Sequence, residues 1–323
     1  MLNCLALVQT SKQANYDYNA FDDIVKARSA CTRFQRHNDV EGNSGTIGNE
    51  TIVDLAYSCL DLARRAPSGF NAQPYRAILV RSPSVKEKLS KYCIGRNADR
   101  VRDSDCSIVF LADREVGRDG SKFGRFCREN FGRRKKARNK ALNEELSIGN
   151  NGKERGNVEE TLPTMSKFAE FKIRSLVLLF SSGYPLPRII SSPFSFFVRL
   201  GVSIVSVLSR RRILVPSLSG AETWAIKNTM LVAMTYMLAA TSRGLATCPM
   251  EGFNAGGVRK ALKIPRRYSV SLIVSTGEPY IRAENNGEDD VGMSHGVDDG
   301  ISVTPRYASE DVLKMDYFDN DGQ

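Results

Sequence analysis

Histidine is almost missing from this chain. Only His37 and His295 occur in 323 residues, the first in a polar stretch and the second in an acidic one, and neither has the ligand company that a metal centre needs. No metal is therefore expected. The seven cysteines (Cys4, Cys31, Cys59, Cys93, Cys106, Cys127 and Cys248) stand singly, form no CxxC pair and are odd in number. That spacing argues against a zinc ribbon and a disulfide framework and for a reducing compartment. Long hydrophobic runs are absent too, since no apolar stretch approaches the ~20 residues that span a bilayer. Met1 to Val8 lacks a basic flank, so a secretory signal is not expected and the cytoplasm is the expected location.

What the chain has in excess is positive charge, +10 overall. Its distribution matters more than its size: from Arg114 to Arg212 there are 21 Lys or Arg against 9 Asp or Glu, so the remainder is slightly acidic. Arg133-Arg134-Lys135-Lys136 lacks the interleaved aromatics of a nucleic-acid surface, and no nucleic-acid partner is expected. The basic block also contains a polar Gly/Asn-rich linker, Glu144 to Glu160, and apolar clusters broken by Pro185, Pro187 and Pro193. It reads as an insertion. The resulting organisation is an N-terminal arm (1–20), a first domain segment (21–116), the basic and apolar insertion (117–219), and a second domain segment with a C-terminal extension (220–323).

Hydrophobic periodicity outlines the two segments. Helices are expected from Phe21 to Phe34, Glu50 to Arg65, Thr223 to Ser242 and Ala255 to Leu262; strands at Ala77–Val80, Asp105–Asp113 and Val270–Ser275. Arg243-Gly244 supplies a glycine stop to the third helix. The most informative loop is Ala66-Pro67-Ser68-Gly69-Phe70-Asn71-Ala72-Gln73-Pro74-Tyr75, where Ser68, Asn71 and Gln73 offer uncharged donors and acceptors between two prolines. Such a run suits the rim of a ligand site, and equally a helix-to-strand loop. Arg28, Ser29 and Thr32, Asn97 with Arg100 one turn later, Pro249 to Gly252, and Arg306 complete the chemically suggestive positions. Guanidinium groups bind phosphate through parallel N–H bonds, and amides and hydroxyls suit the edge of a planar heterocycle.

In this order the blocks resemble the FMN-dependent nitroreductase family. Arg28 followed by Phe34 looks like that family's N-terminal Arg motif, and Ala66 to Tyr75 its APSxxNxQPW block. Asn97-Ala98-Asp99-Arg100 is similar to its Asn-x-x-Lys/Arg segment, Pro249-Met250-Glu251-Gly252-Phe253 to its P-x-E-G-F turn, Thr276-Gly277-Glu278-Pro279 to its closing strand end, and Thr304-Pro305-Arg306 to its C-terminal Arg. The resemblance implies an α+β, three-layer fold with a mainly antiparallel central sheet flanked by helices, here carrying a large helical and basic insertion. It implies a homodimer with FMN at the interface, NADH or NADPH as donor, and a small electron-poor acceptor such as a nitroaromatic or quinone.

Carried over residue by residue, Arg28 and Arg306 would hold the FMN phosphate, with Ser29, Ala30 and Thr32 along the same wall. Pro67, Ser68 and Asn71 would reach the flavin from the partner subunit. Asn97 would meet the ring edge and Arg100 the N1 region, while Pro249, Met250 and the backbone of Glu251 and Gly252 would face N5, the reacting atom. Thr32 and Thr304 stand where the family often has Lys. Reductive dehalogenation, or a flavin-binding, membrane-associated protein without turnover, are the alternatives. The second draws on residues 194–212, an apolar run ending in Arg210-Arg211-Arg212, which suits an anionic membrane surface, a lid helix or an interface element.

Overall fold

The structure, a computed structural model, describes residues 17–36, 45–116, 171, 197, 200–201, 203–209, 220–280, 301–302 and 308–313. The basic run Arg125–Lys140, the linker Glu144–Glu160, both histidines, Thr304 and Arg306 lie outside the described residues.

The first helix, α1 (Tyr18–Ala27), is capped by Asp17, whose carboxylate accepts the N–H groups of Asn19 and Ala20. It ends seven residues before the predicted Phe34, because Ala30–Cys31 leaves the helix to become strand β1. A short hairpin, β2 (Thr46–Ile47) and β3 (Glu50–Thr51), turns at Gly48 with a φ of 64° and leads into α2 (Ile52–Ala63), where Thr51 caps Asp54 N–H. Strand β4 (Tyr75–Val80) follows, then α3 (Pro83–Ser90), α4 (Asn97–Asp103) and β5 (Cys106–Asp113). After residues 117–219 come α5 (Ala221–Ser242), β6 (Ala246–Met250), α6 (Ala255–Ala261), β7 (Tyr268–Gly277), the edge strand β8 (Ile301–Ser302) and α7 (Ser309–Val312).

Six strands form one sheet in the order β4-β5-β7-β6-β1-β8, antiparallel except for the β1–β6 pair. Both faces are covered. Strand β5 is buried at all eight positions, and its pleat sends Ile108 and Phe110 toward α2 and α5 but Val109 and Leu111 toward α3, α4 and α6. That two-sided burial is why β5 reads as a continuous apolar run rather than an alternating one. The α+β, three-layer expectation holds. The hydrophobic pattern does not announce α3, β6, α7 or the short strands β1, β2, β3 and β8: α3 is a polar helix with little apolar pattern, β6 contains Pro249, which disfavours strand, and the others are two to four residues long. Pro249 is tolerated opposite Val274 in the β6–β7 ladder.

Helix α5 stops where the sequence indicated. Gly244 takes a φ of 75°, and Gly244 and Leu245 N–H groups return to the carbonyls of Thr241 and Ala240 at 3.0 and 2.9 Å, so the last carbonyls of a buried helix are satisfied.

Candidate functional site

Parallel pairing of β1 with β6, Ala30 opposite Thr247, makes both strands leave the sheet at the same end. Thr32 follows β1 and Glu251-Gly252 follow β6, so two segments over two hundred residues apart in sequence emerge side by side. Helix α4 closes this corner. Asn97 Nδ2 donates to the Gly252 carbonyl at 3.1 Å, and Ile94 N–H donates to the same oxygen at 2.9 Å. Arg100 reaches across with Nη1 on Asn97 Oδ1 at 2.8 Å and Nε on the Thr32 carbonyl at 3.3 Å. Thr32, Asn97, Arg100 and Gly252 are thus one hydrogen-bonded cluster. One turn of helix separates Asn97 from Arg100, which is why their side chains meet.

Gly252 is glycine for a reason of space. A Cβ there would lie 2.6 Å from Asn97 Nδ2, so any side chain would push the amide away. Glu251 itself is exposed, and among the described residues no hydrogen bond or ion pair holds its carboxylate. Cys248, on β6 beside this corner, has its thiol pushed up by burial and partly drawn back by the Arg100 charge. Burial likewise raises the Cys93 thiol, to about 11. Neither is therefore a thiolate near neutral pH, and a nucleophilic cysteine is not part of this corner.

Arg28 caps the C-terminal end of α1 with backbone at φ −66° and ψ 106°, and Ser29 leads directly into β1. Among the described residues no ion pair or side-chain hydrogen bond holds the Arg28 guanidinium. Strand β8 runs antiparallel to β1, with Ser302 opposite Ala30, so its C-terminal end lies on the Arg28 side.

The loop from Ala66 to Tyr75 stands at the same end of the sheet, since β4 begins where β5 ends and β6 leaves. It is not, however, beside the cluster. Two strands separate β4 from β6, and three spacings of about 4.8 Å put the loop roughly 14 Å away along the sheet. Within one chain, therefore, Pro67, Ser68 and Asn71 are not brought together with Arg28, Asn97 and Gly252.

The loop has an unusual backbone. Phe70, Asn71 and Gln73 have φ of 55°, 53° and 48°, a left-handed conformation that asparagine tolerates and phenylalanine resists. Each such residue costs on the order of 1 kcal/mol or more, and persists only where its surroundings impose it. The imposing groups come from α5. Asn228, buried in that helix, accepts the Gly69 N–H at 2.7 Å and donates to the Trp224 carbonyl at 2.7 Å. The Trp224 indole lies 3.2 Å from where a Gly69 Cβ would stand. Within the loop, Ser68 Oγ accepts the Gln73 N–H at 3.0 Å. Pro67 and Asn71 remain exposed. The periodicity from Thr223 to Ser242 gives neither Trp224 nor Asn228 this role; the available signal is an amide within an otherwise apolar helix.

Two helices carry apolar side chains that this chain leaves uncovered. On α1 they are Tyr18, Phe21 and Val25, and on α5 they are Leu231 and Met234, each between 41% and 75% exposed. No residue of α1 is buried.

A family model described as the nitroreductase family matches residues 54–278. A stretch of 54 residues is 41% identical to MhqN of Bacillus subtilis (strain 168), whose name describes an NAD(P)H nitroreductase; it covers 17% of this chain and 26% of that protein, so the match spans about a quarter of the relative's length. Among solved structures, a nitroreductase family protein of Streptococcus pneumoniae superposes with a TM-score of 0.50 at 16% identity, covering 91% of this chain and 99% of the other. A Staphylococcus epidermidis protein described as an NAD(P)H:FMN oxidoreductase gives 0.51 at 16% identity, covering 94% and 99%. At such identities the likeness is one of fold.

Proposed function

The chain belongs to the nitroreductase family, and from that premise we propose that it is an FMN-dependent oxidoreductase, taking two electrons from NADH or NADPH and delivering them to an electron-poor acceptor such as a nitroaromatic or a quinone. The observation that carries this reading is the cluster of Thr32, Asn97, Arg100 and Gly252, formed by three of the segments that the sequence singles out for flavin binding.

The residues fit the cofactor. Gly252 offers bare backbone, which only a residue without Cβ can do at this approach to Asn97. Asn97 and Arg100 bring an amide and a full positive charge to the same corner, and Arg28 is a guanidinium without an ion pair among the described residues. When bound, FMN supplies the hydride-accepting and hydride-donating atom, and the protein supplies binding, placement and electrostatics.

Arg28 holds the phosphate, with Ser29, Ala30 and Thr32 lining the adjoining wall. Arg306, which lies outside the described residues, is its proposed second guanidinium. Asn97, oriented by Arg100 and by the Gly252 carbonyl, hydrogen-bonds the edge of the ring. Arg100, fixed at two points, keeps its charge in place as negative charge accumulates, so little reorganisation is needed at the moment of reaction. The Glu251-Gly252 backbone would face the reacting atom, with Pro249 and Met250 on β6 leading into it.

The loop residues Pro67, Ser68 and Asn71 serve the site of a second copy. Support comes from their distance to the cluster of their own chain, from the outward exposure of Pro67 and Asn71, and from the uncovered apolar side chains of α1 and α5, which a homodimer contact would bury.

The deciding experiment is the visible spectrum of the purified protein, before and after anaerobic addition of NADH or NADPH. Flavin absorbance that bleaches with either donor and returns with a nitroaromatic or quinone is expected. No flavin, even after added FMN, refutes cofactor binding; bound flavin that neither donor bleaches refutes the reductase activity and leaves a flavin-binding protein.

A further inference from the structure

A second, shorter piece of ladder runs beside the cluster. Cys93 pairs antiparallel with Phe253 as an isolated bridge, Ile94 N–H donates to the Gly252 carbonyl at 2.9 Å, and Asn254 N–H donates to the Tyr92 carbonyl at 2.7 Å. Gly95, with a φ of 56°, then turns the chain into α4, where Asn97 N–H returns to the Ile94 carbonyl at 3.2 Å. Ile94 is thus fixed through both of its backbone groups. Its side chain is nevertheless not used by the core: Ile94 is 67% exposed.

The place of that side chain gives it a use. A Cβ at Gly252 would lie 3.9 Å from the Ile94 Cβ and 2.6 Å from Asn97 Nδ2, so an aliphatic chain and an amide both border the bare backbone of Gly252. Thr32, Asn97, Arg100 and Gly252 are half-buried, whereas Ile94 is open to water at their edge. A single exposed isoleucine ordinarily needs no explanation. This one is held by hydrogen bonds against the backbone proposed to face the reacting atom, and branching at Cβ leaves it few rotamers. It is a stiff apolar surface on the rim of a polar corner, and such a surface loses little conformational freedom when a ligand packs on it.

Its chemistry indicates which ligands gain from the contact. The Ile94 side chain offers no donor or acceptor, so a polar substituent placed on it loses water without finding a partner, while an alkyl substituent gains by leaving water. We propose that Ile94 sets the polarity of the electron acceptor, favouring nitroaromatics or quinones that carry alkyl groups over those that carry hydroxyl or charged groups at the same place. This rests on the oxidoreductase reading above and adds a residue that chooses among its acceptors.

Two acceptors of nearly equal shape, para-ethylnitrobenzene and para-nitrobenzyl alcohol, differ by a methyl for a hydroxyl group and test the proposal on the FMN-loaded protein. Each is titrated into the oxidised protein by calorimetry with no donor present, so that binding is read without turnover, and is then assayed with NADH or NADPH. The parent is expected to favour the ethyl compound in both Kd and kcat/KM. Ile94→Asn lowers that preference by about 10-fold, within the range for one methyl group in an apolar pocket, and Ile94→Val keeps most of it. Neither substitution removes a buried side chain, so both variants are expected to fold. An Ile94→Asn protein that loses flavin, with both acceptors weakened in parallel, assigns Ile94 to the cofactor; one that sediments as a smaller species assigns it to the contact with a second copy. Either result overturns the proposal, as does a preference that Ile94→Asn leaves unchanged. A parent whose bound flavin neither donor bleaches overturns the oxidoreductase reading and this one with it, and its spectrum shows that before any acceptor is compared.

Discussion

Gly252 and Asn97 constrain one another more tightly than any other pair in the cluster. With a Cβ placed 2.6 Å from Asn97 Nδ2, Gly252→Ala must displace the amide and break its bond to the Gly252 carbonyl. The expected result is a folded protein that retains little FMN, read as the flavin-to-protein absorbance ratio; full flavin content would remove Gly252 from the site. Asn71→Gly acts differently, because the Asn71 side chain is exposed, makes no described hydrogen bond, and glycine keeps the left-handed φ of 53°: flavin content falls while the thermal transition stays within about 0.5 kcal/mol of the parent, the range of a surface substitution. The thiols make a separate prediction. Complete burial, assisted by the Asp105 charge and opposed by Lys86, pushes the Cys106 thiol up to about 12, whereas an unfolded thiol ionises near 8.5. Below that pH both states keep the proton and stability is unaffected. As pH rises through the interval between the two values, the unfolded chain loses a proton that the folded chain retains, so stability falls, by up to about 1.4 kcal/mol per pH unit for this thiol. Urea midpoints at pH 8 and pH 10 should separate more in the parent than in Cys106→Ala, and equal separations would contradict it.

Two helices show how an element can be right in outline and still conceal its function. The pattern from Thr223 to Ser242 marks α5 as apolar round most of its circumference, and one side of it is buried while Leu231 and Met234 are exposed; what the pattern does not disclose is that Trp224 and Asn228 grip Gly69 and hold three left-handed residues in the loop. Asn228→Ala strands the Gly69 N–H and removes the amide that orients it, a loss of about 1–3 kcal/mol. It should lower flavin retention beyond what its melting temperature accounts for, since Pro67, Ser68 and Asn71 lose their fixed positions; flavin content that simply tracks stability would reduce Asn228 to a core residue. Helix α6 is held by the opposite device, an absence. A Cβ at Gly257 would overlap the ring of Tyr92, so Gly257→Ala overpacks the junction of α3 and α6 at a cost of about 1–3 kcal/mol, and Tyr92→Ala in the same chain should recover part of it. The spacing of Asn97 and Arg100 on one helical turn was legible in advance, because i to i+3 geometry is local. The end of α1 was not: Ala30 and Cys31 become strand only because β6 and β8 lie on either side to pair with them, and nothing between Phe21 and Phe34 signals those partners.

At the scale of the molecule, the sheet order separates the two halves of the proposed site. Asn97, Arg100 and Gly252 gather at β1 and β6, while the loop before β4 stands roughly 14 Å away on the same end, so completion by a second copy is the arrangement that uses both. Leu231→Asp with Met234→Asp, on the uncovered side of α5, should yield a monomer in sedimentation velocity and lower flavin content with it. A double variant that stays dimeric and keeps its flavin would place the contact elsewhere.

The sequence alone determined the order of the longer elements, the continuous apolar run of β5, the glycine stop of α5 and the family resemblance, because each rests on local spacing or on the chemistry of a short block. Convergence was decided only by the tertiary structure. Which of the candidate polar residues meet, why Gly252 and Gly257 admit no side chain, and that the loop is held by Asn228 as well as by its own Ser68 all depend on approaches between segments far apart in the chain.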